Sequence, residues 1–299
     1  IGNGVQLREM KTGAVHVLDT AKVSYRSLSW NDETTAFTLS TRFADRFGSY
    51  NVHKQFVPSP TNGFDGELRT DIAAIFAPIS RLQLGFVVPF IVNGRRFGET
   101  SDVGGGLGDL GATARFDLVP LSTSSDWPAI ALTASITLPT GRSALHAQQI
   151  LAADATGLGV AEFRPGVFLE HTFQGRASAI VTGSVGFRTE LNEPPAPRIA
   201  LAPRWRLLAA AGPVFDMGLS LSIGLIHERE GAPAIEGVTA LEADRQRTAA
   251  LVFVGYDLPL HWTLLGSAEL DVPIHSFGHN ELASIAISLG LRRSFSWEE

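Results

Sequence analysis

The stretch Ile130-Ala131-Leu132-Thr133-Ala134-Ser135-Ile136-Thr137-Leu138 sets the fold. Ile130, Leu132, Ala134, Ile136 and Leu138 fall on one side, and Ala131, Thr133, Ser135 and Thr137 on the other. Side chains along a strand alternate between faces, so this period of two marks a strand with one greasy face and one small, polar face. The same period runs through 177–188, 215–225 and 262–272.

Twelve such segments can be marked, at about 34–44, 66–77, 81–92, 106–118, 128–139, 158–172, 176–189, 199–210, 214–228, 246–257, 262–274 and 281–295. Most run 11 to 15 residues. That is longer than the ~5–6 usual in soluble sheets and matches the ~9–11 needed to cross a bilayer at a tilt. The connections alternate in length. Those at 78–80, 172–175, 211–213 and 258–261 are tight and 119–127 is moderate; 45–65, 93–105, 140–157, 190–198 and 229–245 are long, and 275–280 is shorter. Short turns at one rim and long loops at the other are the asymmetry of outer-membrane barrels. The expected fold is all-β: a transmembrane antiparallel up-and-down β-barrel of about twelve strands, with fourteen as the alternative count.

Residues 1–32 do not fit as a spanning strand and are expected to form a periplasmic or lumen-inserted extension, with 33–299 as the barrel. The chain opens at Ile1 without a basic, apolar, small-residue leader, and so reads as a processed product. No apolar run reaches the ~18–20 residues of a transmembrane helix.

Composition narrows the function. The chain has 299 residues, 44% hydrophobic and 18% charged, with a net charge of -6. No basic stripe exists to neutralise phosphates, which argues against nucleic acid. With no cysteine, thiolate zinc sites, Cys-based haem attachment, cysteine nucleophiles and disulfides are excluded. No cofactor is indicated.

A barrel must turn its apolar face to lipid and can keep polar groups inside. Assigning faces strand by strand places Arg69, Asp71, Asp109, Arg115, Asp117, Glu162, Arg164, Arg188, Arg204, Arg206, Arg247, Glu269 and Asp271 inward, with Glu170, Glu228 and Asp257. These could line a narrow water path or simply brace the interior. Phe76, Phe116, Trp127, Phe173, Phe215, Tyr256, Trp262, Phe295 and Trp297 cluster near the short turns, and Phe43, Phe90 and Phe187 near the long loops, as interfacial belts would; aromatics also simply favour strands. Two loop patches, 143–153 and 240–247, have helical composition. The first would fold into the bore or, more commonly, lie on the surface.

Gly104-Gly105-Gly106-Leu107-Gly108-Asp109-Leu110, then Pro128-Ala129-Ile130-Ala131-Leu132, then Leu138-Pro139-Thr140-Gly141 form an ordered series. With the hairpin from Leu68 to Phe90 and its Pro89, the series resembles the outer-membrane family called "MetA-pathway of phenol degradation", over roughly 66–190. The resemblance implies a barrel related to channels for hydrophobic compounds, taking up aromatic or other small apolar molecules. It supplies no catalytic residues. The C-terminus alternates Leu289, Leu291, Arg293, Phe295, Trp297 like a barrel-assembly signal but ends in Glu298-Glu299, where such a signal has an aromatic. The glycine run is no phosphate cradle, since neither a helix nor a Lys-Ser/Thr pair follows.

Three functions are therefore weighed. The first is a passive outer-membrane channel for small, apolar or aromatic solutes, with a lateral opening at Pro165 or Pro203 where a ladder donor is lost. The second is a scaffold barrel with a plugged lumen, holding a periplasmic or surface protein partner through charged loops such as 228–230 and 242–247. The third, and least supported, is a lipid hydrolase built on His275, Ser276, His279 and Asn280; His275, His279 and Glu281 could also be imagined around a metal.

Overall fold

A computed structural model describes residues 34–60, 62–79, 81–120, 127–173, 176–192, 197–215 and 217–296. The proposed extension, 1–32, lies outside the described residues. Among the described residues seventeen strands occur: β1 Thr34–Tyr50, β2 Phe56–Pro58, β3 Phe64–Ile79, β4 Leu82–Phe97, β5 Thr100–Leu107, β6 Leu110–Val119, β7 Ala129–Leu138, β8 Glu162–Phe173, β9 Ala177–Arg188, β10 Ile199–Ala200, β11 Arg204–Pro213, β12 Leu219–Glu230, β13 Ala234–Ile235, β14 Val238–Thr239, β15 Arg245–Leu258, β16 Trp262–Asp271 and β17 Leu282–Ser296. Twelve of them, β1, β3, β4, β6, β7, β8, β9, β11, β12, β15, β16 and β17, pair with their sequence neighbours in the barrel, all antiparallel. β1 closes on β17 from Thr34↔Ser296 to Ser49↔Leu282, with one irregularity between Arg46 and Gly48. Closure leaves no edge strand, as a barrel wall in lipid requires.

β2 and β5 are extensions above the long-loop rim, and β10, β13 and β14 form a small separate sheet. β5 and β6 pair successive halves of β4, Phe90↔Leu107 and then Val87↔Gly111. They amount to one strand broken at Gly108-Asp109, opposite Pro89. There the Gly108 N–H donates to the Pro89 carbonyl at 2.8 Å. The expected strand 106–118 therefore starts later, at Leu110, and its outer continuation leaves the wall.

The inside and outside are inverted relative to a soluble protein. Ile223 and Leu225 are 66% and 56% exposed, while Arg69 and Asp271 are 0% exposed. The aromatic positions Phe76, Phe116, Trp127, Phe173 and Tyr256 face outward near the short turns. Phe43, Phe90 and Phe187 do so near the long loops, where Phe163 and Trp205 join them.

The inner face is not uniformly polar. Ala131, Phe168, Ile180, Leu208, Ala210, Ile226, Leu251 and Phe253 form one buried apolar cluster across β7, β8, β9, β11, β12 and β15. Most of the ion pairs occupy the long-loop side of that cluster, while Arg115–Asp117 lies level with it, Asp117 opposite Ala131.

Neither expected helix forms. Loop 140–157 carries a single 3-10 turn, Ala144–His146, and the start of 240–247 is turn before β15 takes over at Arg245. The reason is local: in the first loop the peptide groups are bound by side chains from the wall, which removes the donors and acceptors a helix would use.

Candidate functional site

Each of the thirteen inward residues named from the sequence lies on the inner face, and twelve of them make ion pairs. Arg69 and Arg115 each reach the aspartate two positions on, Asp71 and Asp117, with Nε–Oδ1 distances of 2.7 and 2.8 Å. Glu162 collects Arg164, Arg204 at 3.3 Å and Arg188 at 3.9 Å. Arg188 also meets Glu230 at 3.0 Å. Arg206 faces Glu228 at 3.3 Å. Arg247 meets Glu269, Asp271 at 2.6 Å and Glu228 at 3.9 Å. Alternating charges thus run across β8, β9, β11, β12, β15 and β16. Such pairs add little net stability because desolvation offsets attraction, but they fix the wall, and losing one partner strands the other.

Asp109 behaves differently. Its carboxylate accepts the Gly141 N–H at 3.0 Å and the Leu158 N–H at 2.9 Å, so it ties together the two ends of loop 140–157. Thr140 adds to this clasp: its hydroxyl donates to the Gly108 carbonyl and accepts from the Leu110 N–H, both at 2.9 Å. The Gly-x-Gly-Asp and Leu-Pro-Thr-Gly motifs, 32 residues apart in sequence, meet here. A Cβ on Gly157 would sit 2.3 Å from Asp109 Oδ1, so the close approach requires glycine.

Above the clasp the loop folds into the mouth of the bore rather than onto the surface. The Asn93 side-chain amide, on the inner face of β4, donates to the carbonyls of Ala153 and Ala155 at 2.9 and 2.8 Å. Arg95 donates to those of Leu151 and Ala152 at 2.7 and 2.8 Å. Asp102 accepts the Leu151 N–H at 2.7 Å. Within the loop, Asp154 accepts the backbone N–H groups of Gln148 and Gln149 and meets Arg142 at 2.5 Å. Those contacts, the Gln148 N–H foremost, hold its carboxyl down at about 2. Neither Asn93 nor Arg95 stood out in the sequence, which read both as the start of a polar loop.

Inside the barrel lies a chamber of about 100 Å³. Its wall follows one row of cross-strand partners: Gln83↔Arg115, Arg115↔Thr133, Thr133↔Gly166, Gly166↔Ser184 and Ser184↔Arg206. Thr133, Gly166 and Ser184 are small, which leaves the space. Arg115 and Arg206 flank it, with Arg164 nearby on β8. Phe168, Ile180 and Leu208, from the apolar cluster, complete the lining. The Arg115 guanidinium stacks over the Phe168 ring at 4.5 Å.

The lateral-opening positions divide. Pro165 lies in β8, opposite Ala134, and β8–β9 pairing skips from Phe163↔Phe187 to Gly166↔Ser184 beside it. Pro203 precedes β11 and interrupts nothing. The hydrolase cluster does not assemble. His279 turns its Nδ1 to Asp244 at 3.4 Å, and Asn280 donates to the carbonyls of Glu242 and Asp244. Ser276 sits in a left-handed turn at φ 73°, its N–H donating to the Lys54 carbonyl. Among the described residues no group of three or more His, Cys, Asp or Glu is placed to hold a metal.

A closed barrel with an apolar outside and a charged inside, short turns at one rim and long loops at the other, defines a β-barrel protein of the bacterial outer membrane. No protein-family model and no curated protein matches the sequence. Among solved structures the chain is similar to an outer membrane channel from Pseudomonas putida F1, at 17% identity and a TM-score of 0.75, over 89% of this chain and 97% of that one. It is also similar to the beta domain of a Bordetella autotransporter, at 11% identity and a TM-score of 0.50, over 87% of this chain and 100% of that one. These likenesses are of fold.

Proposed function

We propose that the protein is an outer-membrane channel for passive passage of small, apolar or aromatic solutes. The observation that carries this reading is the lumen chamber, which has apolar side chains on one side, guanidinium groups at its ends and the seated loop 140–157 beyond it toward the outer rim. The sequence series from Gly104 to Gly141 supports it through its resemblance to the "MetA-pathway of phenol degradation" family. In this reading Arg115, Arg164 and Arg206 line the solute path. Arg69, Asp71, Asp117, Glu162, Arg188, Arg204, Arg247, Glu269 and Asp271 hold the wall open around it, and Asp109 anchors the loop that restricts entry. Proteoliposomes containing the purified protein should admit benzyl alcohol faster than protein-free vesicles, and planar bilayers should show small, discrete conductance steps. Absence of both would refute the channel.

A second reading, a scaffold with a plugged lumen, is favoured by the density of paired charges and by the loop in the mouth. It predicts no flux together with a stoichiometric protein partner copurifying from native membranes.

A further inference from the structure

Among the described residues, Arg115 is the inner-face guanidinium group that lies over an aromatic ring while lining the chamber. Its Nε is bound to Asp117, its plane lies on Phe168, and its Nη1, fully buried, has no hydrogen-bond acceptor among the described residues. A buried donor without an acceptor is expensive to maintain and marks a position where an acceptor belongs. Arg115 lines the chamber. The carboxylates that pair with its three guanidinium groups, Asp117, Glu162 and Glu228, do not. Seen from inside, the chamber therefore presents cationic ends, small hydroxyl-bearing side chains between them and an aromatic-aliphatic flank. Gln83, the cross-strand neighbour of Arg115, adds a polar group beside that end.

We infer that the chamber is a binding site for one small organic monoanion, of the class of single-ring aromatic carboxylates. Arg115 receives the carboxylate, and Phe168, Ile180 and Leu208 receive the ring. Size and chemistry agree. A volume of about 100 Å³ is of the order of the roughly 150 Å³ apolar cavity known to admit benzene, so the space suits one ring. A planar carboxylate matches the fork of a guanidinium better than any single-point acceptor does. The inference deepens the channel reading and rests on it for how the ligand arrives. Binding can be tested without flux.

The test uses the whole purified protein in detergent, titrated calorimetrically with benzoate and, separately, with benzyl alcohol, alongside flux of both probes into proteoliposomes. Benzoate should bind at least about tenfold more tightly than benzyl alcohol. The pair change Arg115→Met with Asp117→Asn, which removes the ion pair as a unit, should remove that preference. Should that variant not fold, Arg115→Lys keeps the charge without the fork, and the preference should shrink severalfold. Equal affinity for both probes in the unaltered protein, or a benzoate preference that survives loss of the fork, overturns the inference. Arg115-dependent benzoate binding with no flux of either probe overturns the channel and leaves the site standing. Flux of both probes with no Arg115-dependent preference does the reverse.

Discussion

The clasp at Asp109 offers the sharpest test of how the mouth is closed. Replacing Asp109 with Ala removes an acceptor for two backbone N–H groups, those of Gly141 and Leu158, at 3.0 and 2.9 Å. Hydrogen bonds to a charged group contribute about 1.5–3 kcal/mol each. Water at the mouth re-satisfies part of what is freed, so the lower end applies, about 3 kcal/mol for the two bonds. That corresponds to roughly a hundredfold rise in the population of the released loop. Arg142, whose side chain is 45% exposed, gives trypsin a cleavage site inside the loop. When opening is fast relative to cleavage, the cutting rate follows the open population, so cleavage after Arg142 should accelerate by about the same factor. Gly157→Ala should act from the opposite side, because its new Cβ would lie 2.3 Å from the same carboxylate oxygen. If both variants keep the heat-modifiable mobility of a folded barrel and are cut at the unaltered rate, the clasp does not hold the loop.

Three further outcomes follow from the same geometry. The Asp154 carboxyl titrates near 2, below its ordinary 3.8, so its contribution to seating the loop is complete above about pH 4 and is lost as pH falls from there through 2; hydrogen exchange over 140–157, corrected for intrinsic rates, should rise only in that window, and Asp154→Asn should abolish the step. Arg247→Met leaves Glu269 and Asp271 buried without their main cation, and urea unfolding in lipid should show a loss of about 3–5 kcal/mol. Val167→Arg places a charge on the lipid face midway along β8 and should destabilise the barrel in bilayers by about 2–4 kcal/mol, while a polar change at inward Ser184 changes stability far less.

Much of the barrel was legible because lipid imposes one rule on every strand. Alternation in 130–138, and again in 215–225 and 262–272, gave the faces, and the alternation of turn and loop lengths gave the direction of the chain. Strand ends were harder. β1 runs on to Tyr50, well past the marked 44, because its outer end pairs with β2 and β17 rather than with lipid-facing apolar residues. The apolar cluster left a trace that alternation alone overlooks: Val167-Phe168-Leu169, Leu207-Leu208 and Leu251-Val252-Phe253 are greasy on both faces. The chamber left none. It depends on Arg115, Thr133, Gly166, Ser184 and Arg206 sharing one row, and register between distant strands is set by the whole wall rather than by any one segment. The seating of loop 140–157 was hidden for a similar reason. Its Ala- and Gln-containing run favours a helix by composition, but Asn93, Arg95 and Asp102 bind its peptide groups in a path of irregular turns.

The distribution of charge around the bore then has a mechanical sense. From β8 through β12 to β16, and on to β1 and β3, the inner wall is cross-linked by ion pairs that resist any local change of spacing, since moving one partner exposes the other to an apolar interior. Over the outer halves of β4, β6 and β7 the inner face offers instead Ile91, Asn93, Arg95, Ser135 and Thr137; Arg95 reaches Asp65 at 3.3 Å as well as the loop, and Asp109 is committed to the loop. A wall densely cross-linked on one arc and sparsely on the other changes shape more readily on the sparse arc. That arc is where the loop is seated, where β5 leaves the barrel opposite Pro89, and where the chamber begins. In the proposed channel this arc is where the mouth would widen, and Asp109, Asn93 and Arg95 are the contacts that would let go.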